Sequence, residues 1–122
     1  SLRRQRQMCI RDRWHTSRRM RKIVIHNSTV YLCGQVGNRG DSIEAQCTEA
    51  FRRIDGLLAE AGTSNERMLQ VIVWLKTMDD FHAMNRVYED WVPEGCAPAR
   101  ACGRSEMASE ELLVEFTVTA AK

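Results

Sequence analysis

The run Leu69-Gln70-Val71-Ile72-Val73-Trp74-Leu75-Lys76-Thr77 constrains the fold more than any other part of the chain, because apolar side chains stand on both of its faces. Val71, Val73 and Leu75 alternate with Ile72 and Trp74, and a strand apolar on both faces belongs inside a sheet. An interior strand needs a neighbour on each side, and three other runs can supply them. Residues 22–26 and 29–36 are β-rich and separated by Asn27-Ser28, a polar pair suited to a tight turn. They read as a hairpin with Val30 and Leu32 on one face and Tyr31 and Cys33 on the other. Residues 97–103 can form a short strand, residues 105–110 a polar connection, and residues 112–120 alternate as a last strand.

Two segments between these runs carry the other period. Ile43, Cys47, Ala50, Ile54, Leu57, Leu58 and Ala61 recur at three- and four-residue steps and predict an amphipathic helix over residues 42–61. Asp41 followed by Glu44 reads as a capping box at its start, and Gly62 as the left-handed residue at its end. Residues 77–80 supply caps for a second helix with Phe81, Met84, Tyr88 and Trp91 on one stripe, stopped by Pro93-Glu94-Gly95. The order is ββαβαββ, an α+β class with one mixed sheet and two helices packed on one face. With 122 residues the chain can bury one core of useful size, not two.

Charge is distributed unevenly. Residues 1–22 hold nine basic residues and one acid, Asp12, whereas the remainder holds nine bases and fifteen acids. The expected organisation is a basic, disordered leader over residues 1–19 and a domain over 20–122, with any contact to nucleic acid confined to the leader. The acidic body argues against a nucleic-acid surface on the fold. No run is long and apolar enough for a membrane span or a secretory signal, so the expected location is cytoplasmic. Five cysteines without a Cys-x-x-Cys spacing indicate reduced thiols rather than a disulfide framework or a zinc ribbon.

Arg100 leads the candidates for chemistry. It lies between Ala99 and Ala101 in a strand, and its planar fork suits bidentate capture of a carboxylate; a salt bridge on the sheet is the equal alternative. Glu115 stands between Val114 and Phe116 in the last strand, where it either faces inward to orient water or move a proton, or lies on the solvent face. Cys33 and Cys102 are thiols without a recognisable histidine partner and read as inert, buried cysteines. His15, His26 and His82 form no metal spacing. Arg39-Gly40-Asp41 and the Gly34, Gly37, Gly40 series are better explained as a helix start and loop punctuation than as an adhesion tripeptide or a phosphate cradle.

Several segments taken in order carry a resemblance. Val30-Tyr31-Leu32-Cys33-Gly34-Gln35-Val36, Leu57-Leu58-Ala59-Glu60-Ala61-Gly62, Asp80-Phe81-His82-Ala83-Met84-Asn85, Val87-Tyr88, Pro93-Glu94-Gly95 and Pro98-Ala99-Arg100 resemble the Rid (YjgF-like) family of enamine/imine deaminases over residues 22–121. The resemblance implies a chorismate-mutase-like fold and a homotrimer with clefts between subunits. It also implies cofactor-independent hydrolysis of 2-aminoacrylate-like imines and enamines to 2-keto acids and ammonia, without metal. Carried across, Arg100 clamps the substrate carboxylate, Glu115 helps place the attacking water, and Cys102 contacts substrate through its backbone. Cys33, Gly34, Gln35 and Met20 line the hairpin side of the cleft. Cys33 stands where the family commonly has Ser, Met20 where many members have Tyr, and Gly103 where a branched residue is usual. The alternative function is a non-catalytic trimer that keeps the cleft to bind small carboxylates or a protein partner.

Overall fold

The computed structural model of the chain describes residues 16–122. The strands are β1 (Ile23–His26), β2 (Thr29–Leu32), β3 (Met68–Leu75), β4 (Ala99–Arg104) and β5 (Val114–Ala121). The helices are α1 (Ile43–Glu60) and α2 (Phe81–Trp91), so the order is the expected ββαβαββ. One five-stranded sheet runs β1-β2-β5-β3-β4, with β3 and β4 parallel and every other pair antiparallel. β3 is interior, as its two apolar faces require. The hairpin turn uses Asn27 and Ser28 with φ of 48° and 64°, the left-handed pair that matches the twist of antiparallel strands.

One face of the sheet carries both helices. Val30, Leu32, Val71, Val73, Leu75, Val114, Phe116, Val118 and Ala120 point into a single core with Cys47, Ala50, Phe51, Ile54, Leu57 and Leu58 of α1 and Met84 and Tyr88 of α2. Phe51 ties the layers together, stacking on Trp91 with centroids 4.2 Å apart and lying 4.5 Å from Phe116. The Trp91 indole N–H donates to Asp55, 3.1 Å from each carboxylate oxygen. The other face of the sheet is open, and Val24, Tyr31 and Trp74 are exposed there.

Helix caps depart from expectation. Ser42, not Asp41, caps α1, its hydroxyl accepting from Ala45 N at 3.2 Å. Asp41 instead offers its backbone carbonyl to the buried Gln46 amide at 3.0 Å. Thr77 caps a short 3₁₀ turn, Met78–Asp80, and Asp80 enters α2 without a side-chain bond. The end of α1 matches, with Gly62 at φ 85° and Thr63 N donating back to Leu58 O at 2.9 Å.

β2 is shorter than expected and ends at Leu32. Tyr31 pairs with Thr119 and Gln35 with Phe116, so the chain advances four residues while its partner advances three. That extra residue is a bulge, and it re-aims Cys33 and Gly34. Arg53 of α1 secures the loop that follows, donating to Val36 O at 2.8 Å and to Asn38 Oδ1 at 2.9 Å. Of the expected leader, residues 1–15 lie outside the described residues. Thr16 bridges to Arg21 around a turn in which Ser17 N donates to Met20 O at 2.8 Å.

Candidate functional site

β5 alternates strictly, with Val114, Phe116, Val118 and Ala120 under the helices and Glu115, Thr117 and Thr119 half-buried on the open face. Glu115 is therefore neither in the core nor simply on a solvated strand. It pairs across the ladder with Trp74, and its carboxylate rests on Gly34. Gln35 fixes this neighbourhood by exchanging both backbone bonds with Phe116, at 2.8 and 2.9 Å. Among the described residues Glu115 has no ion-pair partner.

Cys33 completes the cluster. Its backbone N–H donates to Lys22 O at 3.0 Å, and the Gln35 side-chain amide donates to its sulfur at 3.2 Å. Burial pushes the thiol's pKa up, against the opposing influence of the Gln35 bond and the Lys22 charge, and the Glu115 charge raises it further. A protonated thiol is a weak nucleophile, and the sulfur's observed contact is as acceptor for the Gln35 amide. Met20 is 53% exposed, two residues before Lys22, held by its N–H on the Ser17 hydroxyl at 3.2 Å.

Arg100 belongs to a second cluster. In the parallel ladder it stands beside buried Val71, which turns its side chain to the helix face, onto α2. Nη1 donates to Asn85 Oδ1 at 2.8 Å, and the guanidinium carbon lies 4.7 Å from the centre of the Tyr88 ring. Cys102 shares this face and is half-buried; burial raises its thiol pKa, with Arg100 acting in the opposite sense.

β4 is also an edge strand. Ser105 N donates to Leu75 O at 3.0 Å. In the observed register this directs the backbone groups of Ala101 and Gly103 towards β3 and those of Arg100, Cys102 and Arg104 off the edge. The Cys102 N–H is thus presented outward beside the Arg100 fork.

Within one chain the two clusters do not meet. Arg100 and Glu115 are on opposite faces of the sheet, with β3 between their strands, a lateral step of about 10 Å from strand spacing alone. Among the described residues, no group of three or more His, Cys, Asp and Glu side chains is placed to hold a metal ion, and no helix is long and apolar enough to cross a membrane.

The model of the endoribonuclease L-PSP family matches residues 12–122. The chain belongs to this family, the Rid (YjgF-like) proteins. A RutC family protein of Haemophilus ducreyi is 33% identical over 104 residues, covering 84% of this chain and 89% of that protein. A RutC family protein of Escherichia coli is 30% identical over 99 residues, covering 81% and 87%. Among solved structures, a YjgF-family protein from Neisseria meningitidis superposes with a TM-score of 0.85 at 34% identity, covering 88% of this chain and 90% of that one.

Against that family background, the Rid chain's sequence marked the residues at the two clusters but not what holds Arg100. Asn85 and Tyr88 stood in an apolar helix stripe and its flank and in the segments that carry the resemblance, with no contact to Arg100 legible. One further clue was available. An arginine on the helix face of an edge strand needs a polar acceptor or an aromatic ring from the crossover helix, and Asn85 and Tyr88 stand one helical turn apart. Trp74 lies on the interior strand β3 and faces the same open surface as Glu115, which the period of its strand does not show.

Proposed function

We propose that this Rid-family chain hydrolyses imine and enamine forms of 2-amino acids, releasing 2-oxo acids and ammonia, in a homotrimer whose clefts lie between subunits. The observation that carries the reading is the pair of half-sites: a carboxylate seated on Gly34, without an ion pair among the described residues, and an arginine cradled at the edge of the same sheet. Arg100 binds the substrate carboxylate through its fork, and the outward N–H of Cys102 adds a donor beside it. Because Arg100 and Glu115 face opposite sides of one sheet, a second copy supplies the missing half. The exposed Val24, Tyr31 and Trp74 on the open face give such a copy apolar surface to cover.

The chemistry asks little of the protein. An imine carbon is already electrophilic, so Glu115 accepts a proton from water as its oxygen bonds to that carbon and passes it to nitrogen, giving a neutral carbinolamine. Glu115 then takes the carbinolamine hydroxyl proton and delivers it to nitrogen as the C=O bond forms and the C–N bond breaks, and 2-oxo acid and ammonia leave. An enamine first takes a proton at carbon and gives one up from nitrogen to become the imine. Positioning supplies most of the gain, which is consistent with thiols held protonated by burial.

The test generates imines with an amino-acid oxidase and follows their loss with wild type, Arg100→Ala and Glu115→Gln. Both variants are expected to lose acceleration. Mixed trimers reassembled from the two variants recover roughly a quarter of the sites if the residues come from different subunits. Absence of acceleration by folded wild type across small, branched and aromatic imines would replace this reading with the carboxylate-binding trimer.

A further inference from the structure

Resting on the reading of Arg100 as the carboxylate anchor, we propose that Asn85 and Tyr88 of α2 are positioning residues that aim it, leaving the Nε–Nη2 edge of its fork for the substrate. Asn85 Oδ1 accepts from Nη1 at 2.8 Å, the Met84 sulfur lies 3.8 Å from the same nitrogen, and the Tyr88 ring lies 4.7 Å from the guanidinium carbon. These three contacts come from residues 84, 85 and 88, one face of one helical turn. They occupy one nitrogen and one face of the plane. Among the described residues Nε and Nη2 carry no protein bond.

Side-on binding follows from the shape of the group. In a guanidinium Nη1 lies on the Cδ side, while the N–H bonds of Nε and Nη2 run parallel on the opposite edge, matched to the two oxygens of a carboxylate. With Nη1 held by Asn85, that edge is the one a carboxylate meets in two-point contact. Asn85 is neutral, so it fixes direction without neutralising the charge that draws the substrate. Tyr88 is itself locked in the core, edge-on to Phe51 at 6.2 Å and to Trp91 at 6.1 Å, which makes the aim of an exposed arginine a property of the core.

The experiment measures two quantities on the full chain: KM and kcat for imine hydrolysis, and Kd for 2-oxobutanoate by calorimetry, which does not depend on turnover. Asn85→Ala is expected to raise KM and Kd about fivefold to tenfold with kcat within about twofold, the loss of one charge-assisted bond. Asn85→Asp, of equal size, is expected to raise both further, because its carboxylate competes with the substrate for Arg100. Tyr88→Phe keeps the ring and is expected to recover most of the affinity lost in Tyr88→Leu. Unchanged KM and Kd in both Asn85 variants, where Arg100→Ala still abolishes binding, would overturn the proposal while leaving the deaminase reading intact. Binding of 2-oxobutanoate without imine hydrolysis, weakened by Asn85→Asp, would uphold the proposal and remove the deaminase.

Discussion

The carboxylate of Glu115 lies against the α-carbon of Gly34: a β-carbon built there would stand 2.8 Å from Cδ and 3.0 and 3.1 Å from the two oxygens. A loop residue and a strand residue on the far side of the β2 bulge thus share one small volume, and the glycine leaves it to the acid.

Gly34→Ala follows directly. The methyl group meets the mobile end of a side chain rather than backbone, so the fold absorbs it and the carboxylate moves. Imine hydrolysis is expected to fall at least about tenfold with the unfolding temperature nearly unchanged. Activity and thermal unfolding measured on the same preparation check this, and equal activity would detach Glu115 from the chemistry.

Gln46 is buried to 0% exposure, and its amide joins three parts of the chain. Nε2 donates to Asp41 O and Glu111 O, both at 3.0 Å, and Oε1 accepts from Leu113 N at 2.8 Å. Gln46→Leu leaves the Asp41 carbonyl and the Leu113 N–H without these partners, at a cost of about 2–5 kcal/mol. Urea unfolding curves report the loss, and a change below about 1 kcal/mol would mean the loops repair themselves.

Cys47 gives a dependence on alkaline pH. Burial pushes its pKa from 9.0 up to about 12, so above pH 9 the unfolded thiol ionises while the folded one stays protonated. The unfolded state then binds fewer protons, and stability falls as pH rises from 9 towards 12, by at most about 1.4 kcal/mol per pH unit. Unfolding free energies at pH 8 and pH 10.5, under reducing conditions, are expected to fall more for wild type than for Cys47→Ala. Parallel declines would assign the alkaline loss to other groups.

Gly103 and Trp74 form a matched pair on the open face. A β-carbon at Gly103 would lie 3.2 Å from Cζ3 of the indole, and the larger Gly103→Val forces the ring aside. Trp74 is 39% exposed already, and its emission is expected to move to the red in the variant. Repeating the substitution in a Trp74→Phe background isolates the effect, since the shift should vanish there.

The order of elements along the chain and the helix spans were legible because they depend on period: the two-faced run at Val71 to Leu75, the Asn27-Ser28 turn, and the stripe from Ile43 to Leu58; the order of strands in the sheet was not. The ends of elements were not. Ser42 and Asp41 are both good caps by residue type; Ser42 takes the cap while the Asp41 carbonyl is held by the buried Gln46 amide, a contact no capping pattern encodes. The β2 bulge was hidden for the same reason, since one extra residue appears only when Tyr31 and Gln35 are matched to Thr119 and Phe116. At the site, Arg100 and Glu115 stood out as charges in strands, while their facing depended on register. Alternation assigned Glu115 to solvent or interior, and it occupies a third situation, an open face in contact with a glycine.

The outward-pointing edge of β4 has one more consequence, for self-avoidance. An unpaired strand edge invites copies of the chain to extend the sheet without limit, and charge is a common defence. Two β4 edges meeting antiparallel about Cys102 would set Arg100 of each chain opposite Arg104 of the other, with no acid within the strand to relieve the repulsion. The arginine that would greet a small carboxylate also helps to keep the sheet from growing.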